Sequence, residues 1–205
     1  SPNDSIGRLI GRPLAENLGQ QVVVDNRAGA GGTIGTDIVA KANPDGYTLL
    51  ISSTTLTTSP NVYRSLPYDV ARDLQGITMI AAAPMLVFVH PSIPANTVKE
   101  FIAYAKSKPG QLNFANTGGG TTAHLAGELF KKMAGVDLVS IVYKGGGPAV
   151  IDLIAGQVQI YFSTIPAAIQ QVNAGKLRAL AVTSLKRVPE IPAIPTVDEA
   201  GLPGF

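Results

Sequence analysis

The residues with the most chemical potential lie between 112 and 124, where Leu-Asn-Phe-Ala-Asn runs into Thr117-Gly118-Gly119-Gly120-Thr121-Thr122 and on to Ala123 and His124. A strand-like stretch, a glycine-rich loop and then helix-forming residues turn several backbone amides outward together. The helix dipole adds about half a positive charge at that point, so the pattern predicts an anion site. Thr117, Thr121 and Thr122 supply hydroxyl donors, and His124 reads as a hydrogen-bonding partner rather than a general base. Two later stretches repeat the strand-to-helix theme. Tyr143-Lys144-Gly145-Gly146-Gly147-Pro148 places Pro148 at the first helical position, and Ser163-Thr164-Ile165-Pro166 does the same without glycine. Ligands of open α/β sheets bind beyond the carboxyl ends of strands, so the three loops are expected to meet around one anion.

The first part of the chain carries its own candidates: Ser1-Pro2-Asn3-Asp4 opening a helix, and Ser52-Ser53-Thr54-Thr55 following a strand-like run. Asp4 fits an N-cap as well as a ligand contact. Residues 26–33, though rich in glycine, read as structural. A rival chemistry is present, since Gly118-Gly119-Gly120-Thr121-Thr122-Ala123 matches the dinucleotide pattern G-x-G-x-x-A after a strand. That alternative is an NAD(P)-binding oxidoreductase. It lacks its ribose-binding acid, because the next strand ends in Tyr143-Lys144. No cofactor is therefore expected. His90 and His124 are the only histidines, cysteine is absent, and no zinc, calcium, Walker or nucleophile-elbow motif appears, so neither a metal site nor a catalytic set is expected.

Elements that could position these loops follow from periodicity. Ile6, Leu9, Ile10, Leu14 and Leu18 recur at helical spacing, interrupted by Pro13 and ended by Gly19. Strands are expected at 21–25, 47–51, 77–80, 86–89, 112–115, 139–142, 158–162 and 179–183. Helices are expected near 34–42 and from 97, 122, 148 and 166. Residues 52–74 read as a long loop. Thr97-Val98-Lys99-Glu100 is a capping box, and Ala134-Gly135, Ala155-Gly156 and Ala174-Gly175 close three helices. Strand–helix alternation with short apolar strands predicts mostly parallel sheets flanked by helices.

Composition narrows the class. Hydrophobic residues make up 45% and charged residues 15% of 205, which excludes a disordered chain. The formal net charge is +2 with the basic residues scattered, so no nucleic-acid footprint exists. The uncharged stretch 75–98 is broken by Pro84, Pro91 and Pro94, and a membrane helix needs about 20 uninterrupted apolar residues, so strands are expected there.

Taken together, Val22-Val-Val-Asp-Asn-Arg-Ala-Gly-Ala-Gly-Gly-Thr-Ile-Gly35, Asn43-Pro-Asp-Gly-Tyr-Thr-Leu-Leu50, 118–125, Tyr143-Lys-Gly145 and Gly175-Lys-Leu-Arg-Ala-Leu-Ala-Val-Thr183 resemble the extracytoplasmic solute receptors of tripartite tricarboxylate transporters, the Bug or TctC-like family. The resemblance implies a periplasmic, non-enzymatic, monomeric protein of the two-lobed type II periplasmic-binding fold. Such a receptor captures a small carboxylate and delivers it to membrane subunits. It implies lobes of 1–84 and 85–205, with chain expected before Ser1 and beyond Phe205. Carried over by motif, the ligand-binding residues are Ser1, Pro2, Asn3, Asp4, Ser53, Thr54, Thr55, Thr117, Gly118, Gly120, Thr121, Thr122, His124, Tyr143, Gly145 and Ser163. Many relatives carry an Asp where Ser163 stands. Its absence implies a di- or tricarboxylate or an aromatic carboxylate in preference to an amino acid.

Overall fold

The computed structural model describes residues 2–205, with Pro2 described through its backbone only. By contacts the chain divides into two compact units. One runs to Thr78 and includes Gly119–Thr121; the other comprises Met79–Gly118 and Thr122–Phe205.

The second unit is built on a five-stranded sheet of β1 (Met85–Val89), β2 (Leu112–Asn116), β3 (Leu138–Val142), β4 (Ile160–Thr164) and β5 (Arg178–Val182), in the order β3-β2-β4-β1-β5. β2 pairs in parallel with β3 and with β4, while β1 runs antiparallel to β4 and β5. Four strands thus point one way and β1 the other, which is the mostly parallel α/β class expected. Short apolar strands lying in the middle of a sheet bury both faces, and all five residues of β1 are buried.

Helices α5 (Val98–Lys106), α6 (Thr122–Ala134), α7 (Gly146–Ile154) and α8 (Ile165–Asn173) cover this sheet. The core gathers phenylalanines: Phe130 lies 6.0 Å from Phe101 and 5.6 Å from Phe162, and Phe114 meets Phe162 edge-on at 6.4 Å. Gly127 of α6 packs directly on Phe114 of β2, where an added Cβ would sit 2.2 Å from Phe114 Cε2. Helix α5 starts as expected, with the Glu100 amide donating to Thr97 Oγ1 at 3.1 Å. The Glu100 carboxylate accepts from Asn96, one residue outside the usual box. Gly135, Gly156 and Gly175 take the left-handed φ values of 62°, 75° and 70° that stop their helices. Pro148 stands two residues inside α7 rather than at its first position, because Gly145 holds the N-cap.

The first unit holds α1 (Pro2–Leu18), a 3-10 turn at Ala30–Gly32, α2 (Thr33–Ala40), α3 (Thr55–Val62) and α4 (Val70–Asp73). α1 continues through Pro13. The strands expected at 21–25, 47–51 and 77–80 do not form: those residues carry no ladder among the described residues. Over 21–25 the burial does alternate, since Val22 and Val24 lie against Gly11 and Gly7 of α1 while Val23 is 77% exposed. A strand, however, needs a neighbour to receive its backbone hydrogen bonds. Two helices replace the long loop expected over 52–74. In α3, Pro60 lacks the amide that would bond the Leu56 carbonyl, and Ser59 Oγ donates to that carbonyl at 3.3 Å instead. α4 is capped by Asp69, whose carboxylate accepts from Ala71 and Arg72. No helix among the described residues is long and apolar enough to cross a membrane.

Candidate functional site

Strands β3, β2 and β4 lie side by side and point the same way, so the chain leaves all three at one edge of the second unit. From β2 the chain enters the loop 117–121 and then α6; from β3 it passes Tyr143, Lys144 and Gly145 into α7; from β4 it passes directly into α8 at the N-cap Thr164. Three helix starts, each the positive end of a helix dipole, share that edge.

Of the residues singled out from the sequence, Thr117, Gly118, Thr122, His124, Tyr143, Gly145 and Ser163 are brought to this edge. Thr122 opens α6 and is exposed, and His124 lies half-buried in the same first turn. Gly118 has φ +112° and Gly145 φ +151°, both in the region that favours glycine. Ser163 is buried on β4 and hydrogen-bonds the Tyr161 hydroxyl, whose pKa burial pushes up. Tyr143 donates its hydroxyl proton to Asp152 of α7 at 2.8 Å. Burial first, then the neighbouring carboxylate, pushes the Tyr143 pKa up to about 12.

The other candidates belong to the first unit. Asn3 and Asp4 lie in the first turn of α1, and Ser1 lies outside the described residues. Asp4 Oδ1 accepts from Asn26 Nδ2 at 2.6 Å and from Arg8 Nε at 3.0 Å. Those contacts hold its carboxyl below the ordinary range, the Asn26 hydrogen bond most of all. The carboxylate ties α1 to the loop that follows residue 25. Ser53 and Thr55 share a hydroxyl hydrogen bond of 3.1 Å across the start of α3, where Thr54 is the N-cap. Gly120 and Thr121 fall with this unit, in which Thr58 Oγ1 donates to the Gly120 carbonyl at 2.7 Å. Within 26–33, Thr33 Oγ1 and the Tyr63 hydroxyl both donate to the Ala30 carbonyl, a local structural role.

Sequence reasoning missed Asn116, Tyr161 and Asp152. Asn116 is fully buried at the end of β2, with its amide group bonded at both ends. A sequence signal existed, because asparagine two residues before a glycine favours an Asx turn. Asp152 gave none, since only the packing of α7 beside the exit of β3 brings it to Tyr143. No cluster of three metal-ligating side chains occurs among the described residues.

A family model described as the tripartite tricarboxylate transporter family receptor matches residues 6–205. The chain belongs to this family. Solved structures of relatives superpose closely. The R. palustris protein Rpa4515 with adipate gives a TM-score of 0.93 at 39% identity, covering 98% of this chain and 68% of that one. The periplasmic binding protein BugD gives 0.92 at 39% identity over 100% and 69%. MatC from Rhodopseudomonas palustris, with bound malate, gives 0.91 at 32% identity over 100% and 70%. BugT of Bordetella pertussis is 42% identical over 98% of this chain and 63% of its own, so the chain spans somewhat under two thirds of that curated relative. Receptor kinship confirms the resemblance drawn from 118–125 and its companion motifs, and nothing in it favours the dinucleotide alternative.

Proposed function

We propose that this chain is the larger part of a periplasmic, monomeric, non-enzymatic receptor that binds a small dicarboxylate or aromatic carboxylate. In this reading, lobes of 1–84 and 85–205 close on the ligand and present it to the membrane subunits of a tripartite transporter. The observation that carries the reading is the shared edge of β3, β2 and β4. There three helix starts present the positive ends of their dipoles, with the hydroxyls of Thr117 and Thr122 at the same edge. Such an array neutralises a carboxylate without a buried cation, and needs no bond to be made or broken. Support for the ligand class comes from the relatives that hold adipate and malate. Ser163 supports it too: a buried hydroxyl there supplies no carboxylate to pair with the ammonium group of an amino acid. Closure follows if the ligand favours the closed state over the open one, which needs contacts made only on closing.

Calorimetric titration of the full-length protein against succinate, adipate, malate, citrate, benzoate, glutamate and NAD tests this. Saturable heat with a carboxylate, weakened by Thr121→Ala and Thr122→Ala, is the expected result. Preference for glutamate over succinate-like acids would remove the ligand class, and binding of NAD alone would remove the receptor reading. Light scattering of the same sample checks the monomer.

A further inference from the structure

Asn116 is the last residue of β2 and is wholly buried. Each end of its amide is committed. Nδ2 donates to Ser140 Oγ at 2.7 Å and to the Ile141 carbonyl at 3.4 Å, both on β3. Oδ1 accepts the Gly118 amide at 2.9 Å. The backbone carbonyl of the same residue accepts the Tyr143 amide at 2.8 Å, extending the ladder by one step past β3. One residue thus fixes the departure of two loops from the sheet: the glycine loop through Oδ1 and the Tyr143–Gly145 connection through its carbonyl.

Strand pairing does not require this side chain. An apolar residue would satisfy the core, and Ser140 is exposed and can bond to water instead. What an apolar residue would not do is hold the Gly118 amide, and with it a glycine whose φ of +112° is a conformation other residues avoid. Without that acceptor the loop loses its tie to the end of β2, although Thr58 still holds the Gly120 carbonyl, and restoring the lost order would be charged to ligand binding.

We infer that Asn116 is a positioning residue: it touches no ligand, and it holds 117–122 in binding shape before the ligand arrives. This rests on the receptor reading above. Because it acts on the loop rather than on any one solute, its loss should weaken different carboxylates by the same factor.

The test uses the full-length protein with Asn116→Ala, Asn116→Ser, Ser140→Ala and, as a control for destabilisation alone, Phe101→Leu in the core beneath α5. Each is titrated with adipate and malate, melted, and followed by hydrogen exchange over 117–121. Asn116→Ala should weaken both ligands about tenfold, as befits one buried hydrogen bond lost, and speed exchange in the loop. Asn116→Ser, which keeps a weaker acceptor for Gly118, should recover part of both effects. Ser140→Ala should give about a twofold loss, and Phe101→Leu should lower the melting temperature without changing affinity. The inference is overturned if Asn116→Ala melts early but binds and exchanges as wild type, or if adipate and malate are affected unequally. Should Asn116→Ala fail to fold, wild-type affinity and exchange in both Asn116→Ser and Ser140→Ala overturn it equally. Failure of the receptor reading is separate and visible first: the unmutated protein would give no heat with any of the carboxylates titrated above, and the inference would fall with it; where it binds others of them than adipate and malate, two of those replace these in the test.

Discussion

Replacing Gly127 with alanine tests whether the approach of α6 to β2 is as close as the structure makes it. In an exposed helix the change would stabilise by about 1 kcal/mol, because alanine is the better helix former. Here the added Cβ would lie 2.2, 2.4 and 3.0 Å from the Cε2, Cζ and Cδ2 atoms of Phe114. Carbon atoms pack at about 3.5–4.0 Å, so ring and helix must separate by more than about 1 Å. Phe114 has nowhere to go, being fully buried and edge-on to Phe162. Overpacking costs of about 1–3 kcal/mol are usual, and a clash with a ring in a fixed rotamer belongs at or above the top of that range. After subtracting the helix preference, a net loss of about 2 kcal/mol is expected, or roughly 4–8 °C in Tm for a chain of this length. The assay is thermal unfolding by circular dichroism of wild type, Gly127→Ala, Phe114→Leu and the double variant. Phe114→Leu alone should cost about 1–2 kcal/mol, yet the double variant should be no less stable than Gly127→Ala, since the smaller side chain makes room for the methyl. Gly127→Ala as stable as wild type, or strictly additive losses, would refute the reasoning.

Other expectations concern titration and capping. Tyr143, with its pKa raised to about 12, stabilises fully below the ordinary tyrosine value near 10. That contribution should fade between about pH 10 and 12 as the unfolded chain ionises first; Tyr143→Phe should lose this part of the alkaline dependence in stability curves and one late step in the ultraviolet titration of tyrosine. Glu199 is held below its ordinary range, by the Thr196 amide first and then Arg187. Its contribution is present above about pH 4.5 and lost as pH falls through the lower folded value, so the stability difference between wild type and Glu199→Gln should shrink in denaturant titrations taken into acid. Thr97→Ala removes the acceptor for the Glu100 amide and should cost about 1 kcal/mol by the same denaturant measurement.

The second unit was legible in the sequence because its signals are local. Apolar runs at 86–89, 112–115 and 139–142 are each followed by a turn signal and a helix start, and alternation alone then implies parallel strands. The direction of β1 was not legible, since a strand pattern reads the same from either end. In the first unit 21–25 was read as a strand from its three valines, but an unpaired segment is no strand whatever its composition. Helix α3 escaped notice because Thr-Leu-Thr-Thr-Ser-Pro-Asn-Val lacks an apolar stripe and contains a proline, a gap that Ser59 fills through its hydroxyl. Of the candidate residues, the glycine loop, Tyr143 and Ser163 were singled out from strand-to-helix transitions, and the structure brings Thr117, Gly118, Thr122, Tyr143 and Ser163 to one edge. Asn116 was overlooked although its spacing to Gly118 signals an Asx turn; Tyr161 and Asp152 gave no signal, because their meaning depends on which distant segment packs against them.

The reversed direction of β1 bears on how such a receptor changes its diet. Val89, at the end of β1, pairs with Ile160 and Arg178 at the beginnings of β4 and β5. The segment leaving β1 therefore emerges at the rim opposite the loop cluster. Every strand exit that supplies a candidate contact in this unit comes instead from β2, β3 and β4, one uninterrupted stretch of chain from 112 to 164. The candidate contacts of this unit and the strands β1 and β5 that frame them are thus written in separate passages of the sequence. On the proposed function, a cassette swap between relatives over 112–164 replaces the rim that carries those candidates and leaves β1 and β5 as they are.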